Sequence, residues 1–275
     1  MKITAQQVNE LRKLTGAGMM DCKKALVESE GDMEAAIDIL RKKGQKVAAK
    51  RADRDADEGV VLAKVSEDGT FAAAVMVNCE TDFVAKNVDF INYAQSILDA
   101  AVANKAKTAD DLKALELNGR SVGDTIVDQT GVIGEKIQLG RYEVVEAAST
   151  FAYIHPGNRI ATIAGLNKKG DFNTTGKDVV MQIAAMSPIA LNNESIPQDI
   201  IDREIEVGKD QARQEGKPEA MLEKIAMGKL NKFFKENTLL NQGFIKDTKI
   251  SVSQYLHQAD KELTVVDFKR LALGA

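Results

Sequence analysis

The segment VVLAKVSEDGTFAAAVMVN, at residues 60–78, contains two β-prone runs on either side of a polar turn. The runs are Val60–Val65 and Phe71–Asn78, and the turn is Ser66–Gly69. Apolar strand-forming runs separated by a short group of turn-forming residues are typical of a β-hairpin. Further strand-like runs follow later in the chain, at Ile137–Glu146, Thr150–His155 and Arg159–Leu166.

Helical patterns lie beside these strands, which predicts an α+β fold. Asn87 can cap a helix that carries Phe90 and Ile97, and another helix is expected from about Lys177 to Met186. Each of these helices follows a similar strand end, at residues 78–83 and 167–172. The repetition predicts a core of two related subdomains, each a sheet with helices on one side. Chance similarity of two strand–loop–helix units is the alternative.

The N-terminal part of the chain differs from the rest in charge and in pattern. Residues 1–51 carry 11 basic and 7 acidic side chains, whereas the remainder carries 26 and 34. Thr4 and Gln7 have the spacing of a capping box, which starts a first helix, and Gly16 can end it. Asp32 can cap a third helix after a second one that begins at Met19. We therefore predict a separate module of three short helices.

These patterns give a domain assignment. Residues 1–54 form the three-helix domain with its linker, and the polar segment Gln45–Asp57, rich in Ala, Lys and Arg, is expected to be a linker. Residues 55–140 form the first core subdomain and residues 141–275 the second. Two charged helices at about 195–232, joined by a Gly-Lys-Pro turn, form an antiparallel hairpin inserted into the second subdomain. A C-terminal helix is expected to close the chain.

Composition excludes several classes of protein. The 275 residues include 37 Lys and Arg against 41 Asp and Glu, so the net charge of −4 disfavours a strongly basic nucleic-acid binder. Two cysteines and two histidines cannot build a disulfide framework, and they leave a structural zinc site almost without ligands. The apolar run Phe71–Val77 is far shorter than the roughly 20 residues of a membrane helix. We expect a soluble cytoplasmic protein.

The candidate nucleotide-binding motifs in the sequence each lack a required residue. Gly165 and Gly170 have the spacing of a phosphate-binding loop, but Asp171 follows where Lys is required. A start of a dinucleotide fingerprint at Gly16 has Asp21 in place of its third glycine. An acid pair formed in space is not visible in a sequence. We predict a protein that is not an enzyme, with no catalytic residue, no metal site and no cofactor.

Two short segments contain hydrophobic residues whose placement the fold does not require. Met19 and Met20 are adjacent at a helix start, so both cannot face one core, and one should be exposed as adaptable contact surface. Core filling is an equally good interpretation on physical grounds. Phe83 follows Asp82 at a strand-to-helix turn. A staple under the helix is the commoner role for such a Phe, and an exposed wedge is the alternative.

These segments carry a family resemblance. LRKLTGAGMMDCKKAL, at residues 11–26, is similar to the N-terminal signature of bacterial elongation factor Ts, and VNCETDFVAKN, at residues 77–87, is similar to its second signature. The stretch Tyr153–Gly157, the helical hairpin and the total length also fit the family. The similarity therefore extends over essentially the whole chain.

The resemblance implies a guanine-nucleotide exchange factor for the translational GTPase elongation factor Tu. The N-terminal domain would resemble ubiquitin-associated folds and dock on the partner's nucleotide-binding domain, and the hairpin would serve self-association, as in some members. A magnesium-displacing motif would wedge Phe83 into the partner. The residues that match family contacts are Arg12, Met19, Met20, Thr81, Asp82, Phe83, Val84 and His155.

Two departures from the family pattern affect only local loop shape: Asn158 stands where glycine is common, and Gly243 where proline is common. The leading alternative function is a non-catalytic scaffold that captures a partner helix and self-associates. It predicts binding without any effect on nucleotide release. An RNA-binding function is supported only by the basic N-terminal module, which lacks interleaved aromatic residues.

Overall fold

The computed structural model describes residues 3–274, which form a mixed α and β protein. The α-helices are α1 (Ala5–Thr15), α2 (Met19–Glu28), α3 (Met33–Arg51), α4 (Asp82–Ala85), α5 (Val88–Ala103), α6 (Ala109–Ala114), α7 (Val122–Ile133), α8 (Asn173–Met186), α9 (Gln198–Gln214), α10 (Glu219–Asn237) and α11 (Val252–Ala259). The strands are β1 (Glu58–Val65), β2 (Phe71–Cys79), β3 (Glu116–Leu117), β4 (Arg120–Ser121), β5 (Gln138–Glu146), β6 (Ser149–Ile154), β7 (Ile160–Leu166), β8 (Gly243–Phe244), β9 (Asp247–Ser251) and β10 (Val265–Ala272).

The chain divides into two compact units. The first comprises the residues up to Leu62, Ala74–Glu143 and the residues from Leu271 onward. The second comprises Ala63–Ala73 and Val144–Arg270. The hairpin expected at residues 60–78 is present as β1 and β2, and β5 is added beside β2 to give the strand order β1-β2-β5.

Helices α1 to α3 start and stop where local signals place them. The Thr4 side chain accepts from the Gln7 N–H while Gln7 caps the Thr4 N–H, which confirms the capping box. Gly16 ends α1 with φ 68°, a left-handed conformation that glycine adopts freely. Asp32 caps α3 through the Ala35 N–H. The helices enclose a small core of Val8, Leu11, Ala17, Cys22, Ala25, Leu26 and Ala36.

One expectation about this region was wrong. The segment from Gln45 was predicted to be a linker, but α3 is helical as far as Arg51. Its Ala, Lys and Arg residues are good helix formers, so a polar composition did not mark the end of the helix. The continuation packs on α7, where an added Cβ on Gly131 would lie 2.3 Å from the Gly44 Cα. Only glycine permits this approach of the two helix backbones.

The second unit contains a sheet with the strand order β10-β7-β6, in which β6 and β7 are antiparallel and pair Ser149 with Leu166. Helix α8 follows β7, as expected from about Lys177 onward, and begins slightly earlier. Its apolar face packs on β7 and α11. The core there consists of Ala164, Leu166, Val179, Val180, Ile183, Leu239, Val252, Leu256, Leu263 and Val265.

Helices α9 and α10 form an antiparallel pair joined at Gly216, which has φ 72°. Gly208 allows close contact, since a Cβ there would lie 3.1 Å from the Ala226 Cα. A C-terminal helix was predicted to close the chain. Helix α11 lies near that end, but β10 follows it and is the last described element. None of the described helices is long and apolar enough to cross a membrane.

Candidate functional site

The segment Thr81–Val84 lies where β2 ends and a single helical turn, α4, begins. Thr81 is the N-cap of α4 and has extended backbone angles. Its Oγ1 accepts a long hydrogen bond of 3.4 Å from the Val84 N–H. Helix α4 ends at Ala85, and Asn87 then caps α5 through the Asp89 N–H, as the sequence predicted. The two caps confine α4 to a single, sharply bounded helical turn.

Phe83 points away from the protein. It is 83% exposed, the highest exposure among the large hydrophobic side chains that are exposed in the described chain. A staple would be covered by the helix that it supports, so the commoner interpretation of this Phe was wrong. An aromatic side chain held in water gains nothing from burial in the free protein, and burying it in a partner would contribute roughly 1.5–3 kcal/mol.

Asp82 and Val84 flank the wedge differently. The Asp82 carboxylate accepts from Lys86 Nζ at 2.6 Å, one helical turn later. This hydrogen bond holds the pKa of Asp82 below its usual range, so the carboxylate stays charged at neutral pH. Both side chains of the pair are substantially exposed, so the bond can exchange for one with a partner. Val84 is half-buried.

A cluster of charged residues stabilises this turn through hydrogen bonds to residues 80 and 81. Glu135 Oε2 accepts from the N–H groups of Glu80 and Thr81 at 3.1 and 3.0 Å, and Glu135 Oε1 accepts from the Thr81 hydroxyl at 2.7 Å. Glu80 in turn accepts from the Lys136 N–H at 2.6 Å and from Arg51. We call Arg51, Glu80, Glu135 and Lys136 the clasp.

Sequence reasoning did not find the clasp. Glu135 lies 54 residues from Thr81, and Arg51 lies 29 residues from Glu80. No local spacing rule joins residues so far apart. The usable signal was the pair of adjacent charged residues after a helix-ending glycine, Gly134, which has φ 79°.

Cys79 lies directly before the clasp and is buried. Its Sγ donates to the Thr81 carbonyl at 3.2 Å. Burial, the larger cause, and the negative charge of Glu135, the next, raise the pKa of the Cys79 thiol to about 12. The thiol is therefore neutral and serves as a buried support for the turn rather than as a nucleophile.

Met19 and Met20 open α2 on the same compact unit, and both are exposed, by 54% and 61%. The sequence required at least one of them to be exposed, and the core-filling interpretation fails for both. Arg12 is exposed on α1, and Leu14, near the end of the same helix, adds 65% exposed apolar surface. Helix α2 packs on α1 and α3 through its opposite face, with Cys22, Ala25 and Leu26. An apolar strip is thus left to solvent at the start of α2.

A groove of about 350 Å³ adjoins this strip, between the first three helices and α7. Charged side chains that line it pair with one another across short distances. Lys43 Nζ lies 2.6 Å from Asp21, and Arg120 Nη1 lies 2.7 Å from Asp128. Among the described residues, no group of three His, Cys, Asp or Glu side chains could hold a metal ion.

His155 lies in the second unit, at the turn between β6 and β7. It is exposed, and its Nδ1 lies 3.0 Å from the Tyr153 hydroxyl. The turn closes through the His155 N–H to the Ile160 carbonyl at 2.9 Å. Asn158 has φ 55° in this turn, a conformation that Asn tolerates better than most residues, so its replacement of a glycine is accommodated.

The chain is similar to known proteins over its whole length. The family described as "Elongation factor TS" matches residues 80–275. Proteins named "Elongation factor Ts" are similar over the full length: that of Christiangramia forsetii is 56% identical over 274 residues, covering 99% of each chain. That of Porphyromonas gingivalis is 51% identical over 276 residues, covering 100% of each. That of Flavobacterium psychrophilum is 50% identical over 273 residues, covering 99% of each.

Proposed function

The chain belongs to the elongation factor Ts family, and from that premise we propose that it releases GDP from elongation factor Tu by displacing magnesium and loosening the phosphate-binding site. It is a translation elongation factor of the nucleotide-exchange type and not an enzyme. The observation that supports this mechanism is the exposed Phe83 on a firmly held turn. We place the activity in the cytoplasm.

The mechanism is one of linked binding. If the factor weakens the binding of GDP and magnesium to the GTPase, then GDP weakens the binding of the factor by the same amount. A 10⁴-fold effect requires about 5.5 kcal/mol of coupling. One buried Phe supplies roughly 1.5–3 kcal/mol. A larger surface must therefore provide the remaining binding energy.

We assign that anchoring role to the three-helix domain and to the core. Arg12, Met19 and Met20 provide an exposed strip that suits contact with the partner's nucleotide-binding domain. His155 provides an exposed contact for a more distant partner domain. In this proposal residues 1–54 are the partner-docking domain, which resembles ubiquitin-associated folds. The two related subdomains at 55–140 and 141–275 form the core.

The segment Thr81–Val84 then converts binding into release. Phe83 enters between partner side chains near the magnesium, and Asp82 exchanges its bond to Lys86 for hydrogen bonds in the partner's site. Loss of magnesium removes the largest positive charge that holds the phosphates of GDP. GTP then binds the empty site and, by the same linkage, expels the factor.

The test is the release of a fluorescent GDP from elongation factor Tu in excess unlabelled GDP, with catalytic amounts of this protein. Many release events per molecule of factor are expected. Unchanged release together with demonstrated binding would instead support a scaffold that binds a partner helix. RNA binding with a steep dependence on salt would support a nucleic-acid function, which we do not expect.

We also propose that α9 and α10 mediate self-association. The hairpin exposes Val207, Met221 and Met227, which are suited to contact with a second copy. Sedimentation of the intact chain and of a chain lacking residues 199–232 tests this proposal. The shortened chain should be monomeric and should retain most of the exchange activity.

A further inference from the structure

We propose that Glu135 is a positioning residue for nucleotide exchange, which holds the Thr81 turn so that Phe83 is presented in one orientation. The inference rests on the proposed exchange function and extends it to a residue outside the Thr81–Val84 segment. Glu135 touches neither Phe83 nor the exposed surface of α4 through any of its hydrogen bonds. It would act through its hydrogen bonds to Glu80 and Thr81.

The first observation is the number of bonds that one carboxylate makes. Glu135 accepts from the Glu80 N–H, the Thr81 N–H and the Thr81 hydroxyl. The two N–H groups directly precede α4 and have no helical partner of their own. Because the Thr81 hydroxyl donates to Glu135, its oxygen is oriented to accept from Val84. The bonds between Glu135 and Thr81 and between Thr81 and Val84 therefore fix the backbone on both sides of residue 83.

The second observation is that the clasp is reciprocal. Glu135 binds the backbone of residues 80 and 81, while Glu80 binds the backbone N–H of Lys136 at 2.6 Å. Each carboxylate therefore fixes the segment that carries the other. Lys136 Nζ adds bonds to the Ala52 and Arg54 carbonyls, both at 2.8 Å, just beyond the end of α3.

The third observation is that Glu135 stands on a rigid support. Gly134 ends α7 with its N–H bonded to the Thr130 carbonyl at 3.0 Å. Helix α7 packs on α3 at the Gly44–Gly131 contact, which leaves no room for a side chain on Gly131. The carboxylate thus has a fixed origin, which a positioning group requires.

Helix α4 needs such support because it has only four residues. A single helical turn is not stable alone in water. Phe83, being 83% exposed, receives almost no packing that could orient it. Without Glu135 the turn would sample several conformations, and ordering it on the partner would consume part of the binding energy. That loss would appear in the rate of exchange.

The test is a double-mutant cycle of Glu135→Ala and Phe83→Ala, with the exchange rate at saturating factor and the affinity for elongation factor Tu as readouts. Glu135→Ala should lower the saturated rate by about tenfold, as expected for lost hydrogen bonds to a charged group. Affinity should change by less than about threefold. In the Phe83→Ala background, the same substitution should have almost no further effect, because coupled residues are not additive.

Equal rate losses in both backgrounds would overturn the inference and reduce Glu135 to a general stabilising residue. An unchanged rate for Glu135→Ala would overturn it as well. Glu143→Ala is the matched control, since Glu143 lies in the same unit and pairs only with Arg141 in the hydrogen bonds described, at 3.0 Å. It should exchange at the wild-type rate.

If Glu135→Ala does not fold, Thr81→Val provides a second route, because Val lacks the hydroxyl and so removes both the bond to Glu135 and the cap on the Val84 N–H that this bond orients. It should reproduce the loss of rate and the non-additivity with Phe83→Ala. Failure of the proposed exchange function would be distinguishable from failure of the positioning role, because the wild-type protein itself would then not accelerate GDP release. A working wild type with fully active Glu135→Ala and Thr81→Val variants would refute the positioning role alone.

Discussion

Arg51 Nη1 donates to both carboxylate oxygens of Glu80, at 2.7 and 2.8 Å. The bond joins the last residue of α3 to the residue that precedes the Thr81 cap. The third helix of the N-terminal bundle therefore reaches the turn that presents Phe83. The bond is charge-assisted and therefore stronger than a hydrogen bond between neutral groups. It couples the position of this turn to the end of α3.

Glu80→Gln should weaken the protein at neutral pH and flatten its response to acid. The Lys136 N–H and the Arg51 guanidinium hold the pKa of Glu80 below its ordinary value of 4.5. The unfolded chain therefore binds more protons in acid, so the stabilisation is complete above about pH 4.5 and is lost as the pH falls through the folded pKa.

Urea unfolding measures this effect. At about pH 7 the substitution should cost about 1.5–3 kcal/mol, the range for hydrogen bonds to a charged group. At about pH 3 the difference between wild type and variant should shrink. A difference that stays constant over this range would contradict a stabilising, ionised Glu80.

Phe83→Ala should lower the exchange rate more than it lowers affinity. Phe83 is the wedge, whereas most of the contact surface lies elsewhere, so binding should weaken by no more than the roughly 1.5–3 kcal/mol of one buried Phe. Stopped-flow GDP release measures the exchange rate, and equilibrium binding measures the affinity. Ile189→Ala is the control, since Ile189 is another exposed hydrophobic residue, 55% exposed, and belongs to the second unit. Proportional losses of binding and exchange would disprove a wedge.

Replacing Met19 and Met20 together with Asp should mainly weaken binding to elongation factor Tu. Both side chains are exposed, so the fold should tolerate the charges, while burial of two carboxylates in an apolar interface is costly. We expect the dissociation constant to rise by at least about tenfold, or about 1.4 kcal/mol. Ile189→Asp is the control, since Ile189 is also exposed and belongs to the second unit. Wild-type affinity of the Met19 and Met20 variant would remove this strip from the interface.

Gly131→Ala should destabilise the first unit, because the new Cβ would lie 2.3 Å from the Gly44 Cα. Overpacking of this kind costs about 1–3 kcal/mol. Gly123→Ala, on the same helix, is the control. Its nearest neighbour would be the Lys113 carbonyl at 3.5 Å, an ordinary contact, so the better helix propensity of Ala should leave stability unchanged or slightly higher. Thermal unfolding of both variants distinguishes them, and equal melting temperatures would refute the close contact.

Cys79 should resist alkylation in the folded protein. Burial raises the pKa of its thiol to about 12 from 9.0, which leaves about 10³-fold less thiolate at a given pH. Iodoacetamide labelling at about pH 8, located by mass spectrometry, should be far slower in the native protein than in urea. Rapid labelling of the native chain would show that the turn opens readily.

Much of the secondary structure followed from neighbouring residues alone. The Thr4–Gln7 capping box, the Asp32 and Asn87 caps and the β1–β2 hairpin all occur where the sequence places them. Caps and turns involve residues within a few positions of each other, so their hydrogen bonds can be inferred from spacing. The two signatures around Met19 and Phe83 likewise identified the family before any contact was known.

Tertiary structure was needed for everything that depends on which faces are covered. The exposure of Phe83 and of both methionines could not be read from residue type, since hydrophobic side chains are more often buried. The close approach of α3 to α7 at Gly44 and Gly131 joins residues far apart in the sequence, so local patterns do not show it. The clasp joins Thr81 to a carboxylate 54 residues away, and contacts of that range exist only once the chain is folded.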